Sequence, residues 1–306
     1  MTRGCGGIAP GEEAANYSRQ APTMKCAFMT SKSYRSMVPL LIASAFAVLA
    51  LSSPCHADDI TAGDVWDDTK LYFTAPLRWD TKDWLYFGGA LAAFGVAHAY
   101  DGPVRRHFAV GERAVLNGQD PNDLRDAIPA AAFIAATWVV ATLIGEPDGR
   151  VESYTMLEAA GFSLITAEGL KVAAGRSRPD ETTDVDAWRE GGDSFPSFHA
   201  TAAFAVGTVF AESGGDDYRW IRRVLGYGMA TATAYLRVHE NAHWLSETVA
   251  GAAVGIASAE FTLNRRRTRA HRRELSVEPM AGGACSEEVR SEPVDRGIIA
   301  PGLAGR

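Results

Sequence analysis

Ala-rich apolar runs, each broken by a cluster of Gly, Pro or Asp, recur along the chain, and strand signals are scarce. That pattern commits the chain to helices rather than sheet. The periodicity predicts helices near 66–78, 82–100, 124–144, 151–174, 198–212, 218–238 and 243–264. Breaks are expected at Asp101-Gly102-Pro103, Gly145-Glu146-Pro147-Asp148-Gly149, Arg178-Pro179 and Ser213-Gly214-Gly215. The expected fold class is all-α, a compact bundle of about six core helices. The stretch 176–197 reads as a long polar loop, and long loops in compact domains tend to carry function.

The N-terminus sets how much of the chain joins that bundle. Residues 37–53 form an uncharged apolar run, preceded by Lys25, Lys32 and Arg35 and followed by Pro54-Cys55-His56-Ala57. These are the parts of a secretory signal, with cleavage expected after Ala57. An uncleaved anchor helix is the alternative, although the run is short for a span of about 20 residues. Cleavage would take the formal charge from −7 to −10 and leave Cys285 as the last of four cysteines. An internal disulfide would then be out of reach in any compartment. The expected organisation is an extension and signal over 1–57, a helical domain over 58–264, and an Arg-rich, loosely ordered segment over 265–306.

Charge and hydropathy narrow the partners. A net negative chain argues against nucleic acid, whose phosphates call for a basic surface. Ala127 to Gly145 is the longest uninterrupted apolar stretch, just enough to cross a bilayer. The other helices meet a charge or a His after about 12–16 residues, which suits a buried bundle. A periplasmic bundle is therefore favoured over an integral inner-membrane one with its site on the periplasmic face. Arg265, Arg266, Arg267, Arg269, Arg272 and Arg273 follow the last helix and suggest contact with an anionic membrane surface, or simply a solvated helix end.

Three polar clusters carry the chemistry. In Lys171-Val-Ala-Ala-Gly-Arg176-Ser-Arg178-Pro179, a Lys and two Arg converge where a helix ends. They make an anion site, although cations there also complement a helix dipole. In Phe195-Pro196-Ser197-Phe198-His199, Ser197 is a good N-cap and the amides that follow point out of a helix N-terminus, where anions bind. In Arg237-Val-His239-Glu240-Asn241-Ala242-His243-Trp-Leu-Ser-Glu247, His243 and Glu247 stand one turn apart. A carboxylate there can accept the Nδ1 proton and leave Nε2 as a nucleophile. The third cluster also spells His-Glu-x-x-His, a zinc-hydrolase pattern. That pattern needs one continuous helix, and a break is expected near 239–242. Trp188, Phe195, Phe198 and Trp244 would stand near the mouth, where they could meet a lipid tail.

Together the clusters resemble the type 2 phosphatidic acid phosphatase superfamily, which includes bacterial acid phosphatases and vanadium haloperoxidases. The family pattern is K-x6-R-P, then P-S-G-H, then S-R-x5-H-x3-D. Lys171, Arg178 and Pro179 match the first motif in full. Pro196, Ser197 and His199 match the second, with Phe198 where the family has Gly. Arg237 and His243 match the third, with Leu236 in place of Ser and Glu247 in place of Asp.

The resemblance implies phosphate-ester hydrolysis with no metal or other cofactor. His243 would attack phosphorus, His199 would protonate the leaving alcohol, and Glu247 would orient His243. Lys171, Arg178, Arg237 and the Ser197 and Phe198 amides would hold the phosphoryl oxygens. The substrate would be a phosphorylated small molecule or lipid. A catalytically weakened phosphate or lipid binder is the alternative.

Overall fold

The computed structural model describes residues 62–110, 132–136, 139, 147–214 and 218–277. The expected signal segment, most of the expected helix 124–144 and the tail beyond 277 lie outside the described residues. The described residues form helices, turns and loops with no strand, as an all-α fold requires. In chain order they are α1 (Ala62–Phe73), a 3-10 turn (Ala75–Arg78), α2 (Thr81–Phe108), α3 (Pro147–Ala174), α4 (Phe198–Glu212), α5 (Arg219–His239) and α6 (Leu245–Val277).

Helix α4 sits at the centre, packed between α6, α5 and α3. Small residues make the approach possible. A Cβ on Gly255 of α6 would lie 2.4 Å from the Thr201 carbonyl oxygen of α4, and one on Gly226 of α5 would lie 2.4 Å from the Gly207 oxygen. Met156, Ala159 and Ala160 of α3, Ala205, Val206 and Val209 of α4, and Ala259 and Leu263 of α6 close the core. α1 lies across α3 and α6 through Tyr72. Its ring stacks on Phe162 at 4.6 Å, and its hydroxyl bonds Thr166 (3.0 Å) and Ser258 (2.8 Å).

Helix α2 begins on a capping box, in which Asp80 accepts from the Lys82 and Asp83 amides and Asp83 accepts from the Asp80 amide. It then departs from the sequence expectation, continuing through Asp101-Gly102-Pro103 to Phe108. The cost of an internal Pro is met by tertiary anchoring: the Asp101 carboxylate is held by Arg176 and Ser246, and Arg105 donates to the Pro179 carbonyl.

Helix α6 also runs past its expected end at 264, taking the Arg-rich stretch into its last turns. Arg265 and Arg269 reach Asp68 on α1, and Arg266 faces Glu158 on α3. These three Arg side chains are clamps within the bundle. Arg267 and Arg272 are exposed or nearly so.

Outward faces of two helices are apolar. α2 exposes Trp84, Leu85, Leu91 and Val96, and α5 exposes Trp220, Val224, Met229 and Leu236. No helix of the described residues is long and apolar enough to cross a membrane.

Candidate active site

Three chain segments meet at one end of the α3/α4/α6 core. The first is the last turn of α3 with the loop after it, carrying Lys171, Arg176 and Arg178. The second is the start of α4, where Ser197 is the N-cap. The third is the turn from α5 into α6. Asn241 takes a left-handed φ of 59° there, and the His243 and Ala242 amides donate to the Arg237 carbonyl. That turn folds the chain back sharply and puts His243 just ahead of α6, with Glu247 in its first turn.

His243 is 4 % exposed and Glu247 fully buried. The His243 Nδ1 lies 3.0 Å from Glu247 Oε2. The same oxygen accepts from the Ser194 hydroxyl at 2.5 Å and the Trp244 amide at 3.1 Å. Three fixed partners thus hold one carboxylate oxygen in place. Burial, then Arg178, Lys171, His199 and Arg237, push His243 well below the ordinary histidine range. Those surroundings all disfavour the imidazolium and favour the neutral ring. Those four side chains come from α3, the loop after it, α4 and α5, so the elements bring the expected site residues together around His243. Burial pushes Glu247 up to about 7, against the opposing pull of Arg176, Ser194 and the Trp244 amide.

On the cationic side, the Lys171 ammonium donates to the Asp193 carbonyl and lies 4.4 Å from the Phe198 ring centroid. The Arg178 Nε donates to the Asp193 carboxylate at 3.0 Å. Burial pushes that carboxyl up, but Arg178 and then Lys171 hold it below its ordinary value. Arg237 pairs with Glu240. The Phe198 side chain, present where the family pattern has Gly, thus packs over the Lys171 charge as a cation–π cover.

Several expectations need correcting. Arg176 does not join Lys171 and Arg178 in a common anion site. It is fully buried and turned the other way, toward Asp101, Ser246 and Glu247. Ser197 gives its amide to the Glu247 carbonyl (3.2 Å), and its hydroxyl oxygen faces the Ala200 amide. It pins α4 to α6 rather than presenting that amide to an anion. Trp244 does not line a mouth. It is 2 % exposed, and its indole donates to the Ser177 carbonyl.

The His-Glu-x-x-His pattern is not on one helix, because α5 ends at His239. The His239 ring packs on Phe108 and Tyr235, and Glu240 is paired with Arg237. Among the described residues, no three His, Cys, Asp or Glu side chains form a group that could hold a metal ion.

Sequence reasoning missed Asp101, Ser194, Ser246 and Asp193. Asp193 and Ser194 sit in the polar loop already singled out by its length. Asp101 lies in Asp101-Gly102-Pro103, whose composition predicts a helix break rather than a buried ligand.

Residues 153–270 match the PAP2 superfamily. This is the family that the three motifs resemble, and the matched stretch holds all three of them. The chain is 39 % identical over 118 residues to a lipid A 1-phosphatase of Porphyromonas gingivalis, covering 37 % of this chain and 24 % of that protein. It is 31 % identical over 102 residues to lipid phosphate phosphatase gamma of Arabidopsis thaliana, covering 31 % of this chain and 44 % of that one. The chain thus spans less than half the length of either curated relative. No solved structure matches it.

Proposed function

We propose that this chain is a phosphoric ester hydrolase acting on lipid phosphates through a phosphohistidine. The observation that carries the reading is the buried 3.0 Å contact between His243 and Glu247, set among Lys171, Arg178, His199 and Arg237. The ionised Glu247 accepts a hydrogen bond from the Nδ1–H, so the hydrogen stays on Nδ1 and the lone pair of Nε2 faces the phosphate. Nε2 attacks phosphorus, the bond to the leaving oxygen breaks, and His199 gives that oxygen a proton. Water, losing a proton to His199, then attacks phosphorus and releases inorganic phosphate. Lys171, Arg178, Arg237 and the Phe198 amide stabilise the charge that gathers on the phosphoryl oxygens. Ser197 acts indirectly, by holding the start of α4 against α6.

Two things support a lipid substrate: the names of both relatives and the exposed apolar side chains of α2 and α5, which suit a surface beside a bilayer. The periplasm remains the proposed compartment, on the strength of segment 37–57 alone. N-terminal sequencing of the exported protein, expected to begin after Ala57, tests it.

The functional test is phosphate release from a panel of lipid and soluble phosphates, with and without EDTA and vanadate. Lipid phosphates are expected to lead the panel. EDTA should leave the rate unchanged. Vanadate should inhibit, because it adopts the five-coordinate geometry of the transition state. Vanadate binding with no turnover of any ester would favour the binder. Loss of activity to EDTA with rescue by zinc would end the metal-independent reading.

A further inference from the structure

Arg176 is fully buried and points toward Asp101 and Ser246 rather than toward Lys171 and Arg178. Gly175 makes the turn possible: at φ 54° it takes a left-handed conformation that side chains rarely adopt. The guanidinium carbon then lies 4.4 Å from the Trp188 ring and 5.1 Å from that of Trp244. Two carboxylates share this guanidinium unequally. Nη2 donates to Asp101 Oδ2 at 2.8 Å and to the Val185 carbonyl at 2.6 Å. Nη1 donates to the Ser246 hydroxyl at 2.9 Å and reaches Glu247 Oε1 only at 3.5 Å. Asp101 is itself 1 % exposed and fixed to the start of α6, accepting from the Ser246 amide (2.9 Å) and hydroxyl (2.6 Å).

We propose that Asp101 and Arg176 are positioning residues that set whether Glu247 carries a proton, and so the pH range in which His243 is a nucleophile. The inference rests on the reading of His243 given above. The physical step is a tautomer change. When Glu247 is ionised it accepts the Nδ1 hydrogen of His243, and the Nε2 lone pair faces the phosphate. When Glu247 holds a proton on Oε2 it donates that proton to Nδ1. The imidazole's own hydrogen then sits on Nε2, which has no lone pair to offer.

The charged groups around Glu247 and its two partners, His243 and Arg176, come from every neighbouring element. Glu247 itself faces Arg176 and Ser194 in the loop, the Trp244 amide and Lys171 on α3; its partner His243 faces Arg178 in the loop, Lys171, His199 on α4 and Arg237 on α5; and its partner Arg176 faces Asp101 and His98 on α2. Arg176 is the cation in contact with the Glu247 carboxylate. Asp101 competes for it and holds it at the shorter distance. His98, partly exposed, bridges Asp101 and Asp186 at 3.1 and 3.0 Å and ties this competition to the surface.

The competition predicts opposite effects from its two members. Asp101→Asn keeps an acceptor for Ser246 but releases the Arg176 charge toward Glu247. The acid limb of the kcat/KM profile should move to lower pH by about half a unit or more. Arg176→Gln removes the cation, so the limb should move to higher pH by about one unit, with kcat falling. Arg176→Lys should restore the limb toward wild type.

Each variant is first checked for a cooperative thermal transition, and the profiles are read on phosphate release. A purely structural role would lower Tm in both variants without moving the limbs apart. Limbs that stay put, or move the same way, in folded variants overturn the proposal. If Arg176→Gln does not fold, the direction in Asp101→Asn decides alone. The ring-nitrogen NMR shifts of His243 in the wild-type chain give a readout independent of turnover. The hydrogen should move from Nε2 to Nδ1 as pH rises between about 5 and 9, and a tautomer constant over that range overturns the proposal. Full activity in His243→Ala would instead refute the underlying reading, whatever the limbs do.

Discussion

Helix α6 meets a buried acid near each of its ends, and the two are built differently. Near its start, Glu247 has three partners on one oxygen: the Ser194 hydroxyl, the Trp244 amide and His243. Further along, Arg266 faces Glu158 of α3 at 3.6 Å, and no amide, hydroxyl or guanidinium hydrogen bond reaches either Glu158 oxygen; its hydrogen-bonding neighbour is the Asp68 carboxyl. Burial pushes both acids up to about 7. What separates them is directionality. Fixed donors hold the Glu247 carboxylate in a single orientation, which an in-line attack by its neighbour requires. Glu158 has loosely placed charge from Arg266 and Arg269 and a carboxyl neighbour in Asp68, which raises it both by charge and by a side-chain hydrogen bond; these join helices, but no amide or hydroxyl donor fixes the carboxylate toward a neighbouring base. The comparison teaches that burial alone raises an acid, and that hydrogen-bond geometry decides whether the raised acid serves chemistry.

The largest effect should come from the directed end. Glu247→Ala removes the group that orients His243, and kcat should fall by about 100-fold or more while the fold persists. An unchanged kcat would erase the distinction between the two acids. Next comes the spacing that keeps the two ends on one rigid helix. Gly255→Ala places a methyl 2.4 Å from the Thr201 carbonyl oxygen. It should destabilise the bundle by about 1–3 kcal/mol in denaturant titrations.

The smallest effect should come from Glu158→Gln. Burial raises this acid from 4.5 to about 7 in the folded chain. The stability linked to its protonated form is present in full below its unfolded value and fades as pH rises through about 7. Glu158→Gln should therefore raise Tm at pH 8 by an amount worth about 1 kcal/mol, leave Tm near pH 4 little changed, and leave kcat/KM unchanged. A loss of activity in this variant would mean that the clamp also shapes the site.

Much of the site could be read in the sequence because its parts are local. Lys171 and Arg178 bracket one helix end, Ser197 caps the next helix, and His243 and Glu247 lie one turn apart. Each depends on spacing along a few residues, and their order in the chain carries the resemblance. Asp101 could not be read that way. Its contacts with Ser246 span 145 positions, and Asp-Gly-Pro is a helix breaker unless tertiary anchors override it. Arg176 misled for the opposite reason, since its neighbours Lys171 and Arg178 suggested a shared anion. In the fold, the left-handed turn at Gly175 and the ring of Trp188 turn it inward. The Arg-rich stretch read as a solvated end because its partners, Asp68 and Glu158, lie more than a hundred residues upstream.

The central claim is that His243 becomes covalently phosphorylated during turnover. Rapid quench of the enzyme with a ³²P-labelled phosphate ester, under basic conditions that preserve phosphohistidine, tests it directly. The account predicts label on His243 in the wild-type chain, stable in base, lost in acid and insensitive to EDTA, with neither label nor turnover in His243→Ala. Turnover by His243→Ala at the wild-type rate, or hydrolysis with no labelled enzyme at any quench time, would contradict it.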